Sequence, residues 1–161
     1  MDRNNSYIIE GTQKTPQVEL NQITGDLIFT GKSIPENAAK IYEPVYNWVT
    51  EYVKLAKPTT NLRFDLEYFN TSSLLWLSKI IKALIRINEP SYVIILHLYL
   101  PIEEFDEIIE FDDLKDAFIP ISSIVQGAIP CIGIKLYGKD DEGAIIKNTL
   151  VFLETEEVAS L

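Results

Sequence analysis

Four consecutive polar residues, Asn70-Thr71-Ser72-Ser73, stand between a segment of alternating polarity and a segment of helical periodicity. Amide and hydroxyl side chains are favoured at such a junction, where they accept from N–H groups that have no partner within the helix. A second chemistry is open to the same position. A phosphate on one of these hydroxyls would meet free N–H groups and the positive end of the helix dipole, and would add up to two negative charges. Local spacing leaves both readings open, a plain helix cap and a modification switch.

The other candidates for chemistry are sparse. His97 is the single histidine, which excludes a His-rich metal site and leaves one base for Ser-His or Cys-His catalysis. It lies inside an apolar run and reads as a satisfied core histidine. Cys131 is the single cysteine, so no intramolecular disulfide forms; between Pro130 and Ile132 it reads as a small buried hydrophobe. Seven acids fall between Glu103 and Asp113. They read as a solvated, self-repelling face, with a cation site or a dock for a basic partner as the sharper alternative. Carboxylates in a solvated run have no cause to take the split pKa values of acid–base catalysis. The dinucleotide, P-loop and nucleophile-elbow glycine patterns are all missing. The residues therefore read as a non-enzymatic chain needing no cofactor and no metal.

With 161 residues, 47% hydrophobic and 24% charged, the chain has the size and composition of one globular domain over residues 1–161. A net charge of −10 and a pI near 4.5 argue against a nucleic-acid partner. No run approaches the roughly 18 apolar residues of a membrane span, and the polar start lacks the order of a secretory signal, so a cytoplasmic protein is expected. Charge is unevenly spread. Residues 1–100 balance ten bases against ten acids, and residues 101–161 carry the whole excess.

The elements that must position these residues follow from periodicity. Tyr7–Glu10, Val18–Leu20 and Leu27–Gly31 read as short strands, the latter two as a hairpin. Ser33 or Asn37 is placed to cap a helix running to about Leu55, with Pro44 expected to kink or restart it. Leu62, Phe64, Leu66 and Tyr68 share one face of a strand. A helix from about Ser72 to Asn88 places Leu74, Leu77, Ile80, Ile81, Leu84 and Ile85 on its apolar face. Lys79, Lys82 and Arg86 fall on the polar side, either a solvated face or a docking face. Tyr92–Leu100 reads as a strand covered on both faces. The acidic stretch from Glu103 to Asp116 is spaced for partial helix, and Cys131–Tyr137 with Ile145–Leu153 form a final hairpin. The fold class is α+β: a single domain with a mixed β-sheet and two main helices packed against it.

Several blocks resemble the SiaC family of bacterial regulatory phosphoproteins, linked to biofilm formation. These are Gly11-Thr12 with Thr15-Pro16, Ser33-Ile34-Pro35-Glu36-Asn37, Tyr42-Glu43-Pro44 with Trp48 and Tyr52, and Leu66-Glu67-Tyr68-Phe69-Asn70-Thr71-Ser72-Ser73. The resemblance runs from about residue 6 to 115, leaving 119–161 as extra C-terminal strands. It implies a phosphorylation-controlled partner switch. The unphosphorylated form would bind and activate an output protein, a diguanylate cyclase that makes cyclic di-GMP. A dedicated protein kinase would phosphorylate Thr71, with Ser72 as the alternate acceptor, and a PP2C-type phosphatase would reverse it. Asn70 and Ser73 would support the switch loop. The logic is STAS-like, similar to that of anti-sigma-factor antagonists. An acidic module that binds a protein or a cation without phosphoregulation is the competing expectation.

Overall fold

The structure, a computed structural model, describes residues 6–110 and 119–153. Its elements in order are β1 (Ser6–Ile9), β2 (Gln17–Asn21), β3 (Asp26–Ser33), α1 (Ala38–Tyr52) with a 3-10 turn at Val53–Leu55, β4 (Thr59–Phe69), α2 (Thr71–Leu84), β5 (Val93–Pro101), α3 (Ile102–Glu110), α4 (Ile119–Ile124), β6 (Cys131–Lys139) and β7 (Ile145–Leu153). The seven strands form one sheet in chain order. β1, β2 and β3 are antiparallel, β3 through β6 are parallel, and β7 returns antiparallel to β6. Parallel neighbours need a crossover, supplied by α1, by α2, and by the segment carrying α3 and α4. Every crossover advances one strand in the same direction, so the right-handed rule stacks the helices on one face of the sheet.

That face holds the core. Leu27, Phe29, Leu62, Ile94, Leu96, Ile132 and Ile134 from the strands meet Tyr42, Val45, Val49, Leu77, Ile80 and Leu84 from α1 and α2, all buried. Alternation along each strand turns the intervening residues to the other face. Two glycines are needed by the packing. Gly25 has φ of 78° in the β2–β3 turn, and a Cβ there would come within 2.6 Å of the Thr59 carbonyl oxygen. A Cβ at Gly138 would come within 2.7 Å of the Ile102 side chain, so its absence lets α3 lie close to β6.

Several sequence expectations change here. α1 runs unbroken through Pro44, because Pro44 and Lys40, whose carbonyl loses its partner, both lie on the exposed side. Asn37 precedes α1 without a side-chain cap bond, and Ser33 ends β3 instead of starting the helix. α2 stops at Leu84, where Arg86 and Ile87 donate to Ala83 and Leu84 in a tightened last turn. Cys131 is exposed, not buried, since it opens β6 on the side away from the helices. Leu55, in the 3-10 turn, is also exposed.

β5 is covered by helices on one face only. On its other face a polar cross-strand network takes their place. The buried His97 receives the Tyr137 hydroxyl at Nδ1 (2.6 Å) and donates from Nε2 to Asn61 Oδ1 (2.7 Å). Arg63 donates to the same Nδ1 (3.2 Å) and to the Tyr99 hydroxyl (3.1 Å), and the Tyr99 and Tyr137 rings stack 4.4 Å apart. Two donors aimed at Nδ1 require a neutral ring. Burial first, then the charges of Arg63 and Lys135, push the His97 pKa down to about 4, with Asp26 opposing weakly.

An imidazole held neutral in the fold but protonated when unfolded makes stability fall as pH drops from 6.5 towards about 4. Urea melts of wild type and His97→Gln at pH 7 and pH 4.5 should differ in their pH sensitivity by about 2–3 kcal/mol, wild type losing more. Equal losses in the two proteins would show that His97 is not the group responsible.

Candidate functional site

The site is built where three elements meet. β3 ends at Ser33, α1 passes beside it, and β4 runs into α2 through Asn70. Asn70 is the N-cap of α2, in extended conformation, and its Oδ1 accepts from the Ser73 amide at 3.0 Å. Ser72 Oγ donates to the same oxygen at 3.1 Å. The Asn70 amide donates to the Ser33 carbonyl (3.0 Å), and Asn70 Nδ2 to the Pro35 carbonyl (3.3 Å). One asparagine thereby caps the helix and ties its start to the segment before α1.

Beneath it lies a closed hydroxyl network. Ser33, Tyr42 and Ser73 are fully buried. Ser73 Oγ donates to the Ser33 carbonyl at 2.9 Å, Ser33 Oγ donates to Ser73 Oγ at 2.8 Å, and the Tyr42 hydroxyl donates to Ser33 Oγ. Each O–H has an acceptor, as burial requires. Burial pushes the Tyr42 phenol up against the opposing effect of its serine partners, so it stays protonated as the donor.

Thr71 occupies the first helical position of α2, and its side chain is exposed. No described residue hydrogen-bonds its hydroxyl. Asn70 already serves the Ser73 amide, which leaves the Thr71 and Ser72 amides facing outward. No acid lies in the first turn of α2. A phosphate on Thr71 would therefore find free donors and the helix dipole, with no carboxylate in that turn of the helix.

Exposed apolar residues flank this position along the chain. Tyr68 is 62% exposed, Phe69 53%, Leu74 49% and Leu75 60%. The cause lies in the strand register. β4 pairs with β5 only as far as Phe64, whereas it pairs with β3 as far as Phe69, so its last residues overhang. Leu74, expected on the buried face, sits at the rim of the stripe formed by Ser73, Leu77, Ile80, Ile81 and Leu84.

Lys79, Lys82 and Arg86 do come together. They line a cleft of about 420 Å³ between α1 and α2, with Tyr46, Asn47 and Glu43 opposite. Lys79 Nζ lies 4.4 Å above the Trp76 ring, which meets Tyr46 edge-on at 6.4 Å. At a rise of 1.5 Å per residue the cleft begins at Trp76, roughly 7.5 Å along α2 from Thr71. The described acids of α3 do not converge: Asp106 pairs with Lys147 at 2.9 Å. Among the described residues no three His, Cys, Asp or Glu side chains gather around one point. The rest of the acidic run, with Asp112, Asp113 and Asp116, lies outside the described residues.

With this geometry in hand, similarity to known proteins becomes informative. A family model described as SiaC family regulatory phosphoprotein matches residues 9–125. The chain belongs to the SiaC family. The crystal structure of apo-SiaC from Pseudomonas aeruginosa matches with a TM-score of 0.57 at 26% identity, covering 69% of this chain and 91% of that one. A chain from the complex of the diguanylate cyclase SiaD with its activator SiaC, also from Pseudomonas aeruginosa, matches with a TM-score of 0.54 at 27% identity, covering 63% and 90%. An uncharacterized protein of Pseudomonas aeruginosa strain UCBPP-PA14 is 35% identical over 66 residues, 41% of this chain. The chain spans about half the length of that curated relative, 52%. β6 and β7 lie beyond the segment that the SiaC family model matches. They extend the sheet past β5, whose outer edge β6 covers along nine paired residues.

Sequence reasoning found the N-T-S-S turn but missed its buried support. Ser33 reads from sequence as a cap of α1, and no local pattern marks Tyr42 and Ser73 as its hydrogen-bond partners. It also missed the exposure of Tyr68 and Phe69, because overhang depends on register between distant strands.

Two substitutions two residues apart should separate. Ser73→Ala removes one of two donors to the Ser33 carbonyl and leaves the Ser33 O–H without its acceptor in the core, and should cost about 1–3 kcal/mol in urea denaturation. Thr71→Ala removes an exposed, unbonded hydroxyl and should stay within about 0.5 kcal/mol of wild type. A large loss at Thr71 would mean that it, and not Asn70, caps α2.

Proposed function

We propose that this protein is a cytoplasmic, non-enzymatic partner switch whose unphosphorylated form binds and activates a diguanylate cyclase, and that phosphorylation of Thr71 releases it. One observation carries the reading. Thr71 presents an unbonded hydroxyl at the first position of α2, one turn before the exposed Leu74 and Leu75 on the same side of the helix. A partner that packs on Leu74 and Leu75 also covers Thr71. Phosphorylation puts a charge of about −1.5 to −2 on Thr71, where burial under a partner strips the charge of water. The free amides of α2 hold the phosphate in place in the uncovered state. The two effects act in the same direction, towards release.

Family membership supports the choice of partner, since SiaC of Pseudomonas aeruginosa is the activator in the SiaD complex. A dedicated protein kinase and a PP2C-type phosphatase complete the cycle, with Ser72, equally exposed one residue on, as the alternate acceptor. Asn70 and Ser73 position the acceptor. Lys79, Lys82 and Arg86 extend the docking surface along α2, where they would attract an acidic flank of the partner and raise the association rate.

The test joins mass spectrometry to binding. Protein purified from its own host should carry a phosphate-sized increment mapping to Thr71. Thr71→Ala should bind the host's diguanylate cyclase as wild type does, whereas stoichiometric phosphorylation should weaken binding at least about 100-fold, near 2.7 kcal/mol. Leu75→Asp should weaken it comparably without any phosphate. Undiminished binding by the phosphorylated protein would refute the release mechanism.

A further inference from the structure

The last strand offers a surface that lies outside the SiaC family match. β7 is nine residues long, and among the described residues only β6 pairs with it. Sheet edges of this length are usually blunted by proline, by inward-facing charge or by brevity. β1, at the opposite edge, is only four residues long. β7 has no proline and no acid, and its one charge, Lys147, is tied to Asp106 of α3.

Its apolar residues are instead on display. Ile145 and Ile146 are each 52% exposed, Leu150 44% and Phe152 56%. The pairing of Asn148 with Tyr137, Leu150 with Lys135 and Phe152 with Gly133 puts these three β7 residues on the face away from the helices. Phe152 and Leu150 pack across Gly133, where a Cβ would meet the Phe152 ring at 3.1 Å. The register shift opposite Gly138 and Lys139 leaves Ile146 as the extra residue, so the regular ladder runs from Lys147 to Leu153. Leu150 is its midpoint.

We infer that β7 pairs antiparallel with β7 of a second copy of this chain, about a two-fold axis through Leu150, joining two seven-stranded sheets into one. The strand is self-complementary in that register. Leu150 meets the partner's Leu150, Asn148 meets the partner's Phe152, and Thr149 meets the partner's Val151. Lys147 falls opposite the partner's Leu153, so no like charges oppose each other along the seam. Diagonal contact of Phe152 with the partner's Leu150 closes an apolar strip on the helix-free face. An edge-to-edge joint of this length is small beside the roughly 1,200–2,000 Å² of standard interfaces, so micromolar affinity is expected. A charge of −10 on each copy opposes association, and added salt should tighten the dimer.

Sedimentation equilibrium of the full chain at about 100 µM should give twice the monomer mass of 18.3 kDa. Leu150→Lys and Leu150→Glu each place like charges against each other at the axis and should sediment as monomers, raising the dissociation constant at least about tenfold. Circular dichroism should show both variants folded, as expected for a half-exposed position. An equimolar mixture of the two should recover the dimer, because a lysine then faces a glutamate. A monomeric wild type, a dimer indifferent to both substitutions, or a mixture that stays monomeric would each overturn the proposal.

Discussion

Three buried hydroxyls decide where α2 begins. Ser33 at the end of β3, Tyr42 inside α1 and Ser73 in the first turn of α2 form a closed set of donors and acceptors. Removing the hydroxyl of Ser33 or of Ser73 leaves a neighbour's O–H without its acceptor in the core, so the three elements hold one another in a single arrangement. The exposed geometry follows from that junction. With Ser73 anchored inward, helical rotation of about 100° per residue turns Ser72 and Thr71 outward. Ser73 is also the first residue of the stripe continued by Leu77, Ile80, Ile81 and Leu84, a hydroxyl where the pattern elsewhere has hydrocarbon. The junction therefore trades some apolar burial for orientation.

Legibility from sequence followed the range of the interactions. Strands β1 to β7 and the two main helices are marked by local periodicity, and their order already implies a mixed sheet with helices packed on it. The N-T-S-S turn is legible for the same reason, since capping is a local affair. Non-local features were not. The overhang that exposes Tyr68 and Phe69 comes from β4 pairing farther along β3 than along β5. The burial of Ser33 comes from a residue 40 positions away, and the exposure of Cys131 from which face of β6 it opens. The acidic run was legible as a solvated face: on α3 Glu103, Asp106, Glu107 and Glu110 share one side at i, i+3, i+4, i+7 spacing, and Asp106 pairs with Lys147.

The two faces of the sheet solve different problems. The helix-covered face is an ordinary apolar core. The other is closed by hydrogen bonds and stacked rings, in which His97, Arg63, Asn61, Tyr99 and Tyr137 satisfy one another across three strands. Such a face needs no second layer, because polar groups with partners tolerate partial burial. It also explains how a strand as apolar as β5 can lie in the middle of a sheet with helices on one side only. β6 then shields its edge, and the unshielded edge is passed outward to β7.

The division of labour within the four-residue turn is what makes a switch physically workable. If the acceptor hydroxyl were itself the cap, esterifying it would remove a helix-stabilising hydrogen bond at the moment the phosphate arrived, and the fold would loosen along with the surface. Here Asn70 caps and Ser73 anchors, while Thr71 does neither. Its hydroxyl is free to change without cost to the helix, and the outward-facing amides of the first turn favour the added charge. The surface can thus be rewritten on a rigid frame. In the proposed switch the charge offered to a partner would change between the two states, and the shape that offers it would stay the same.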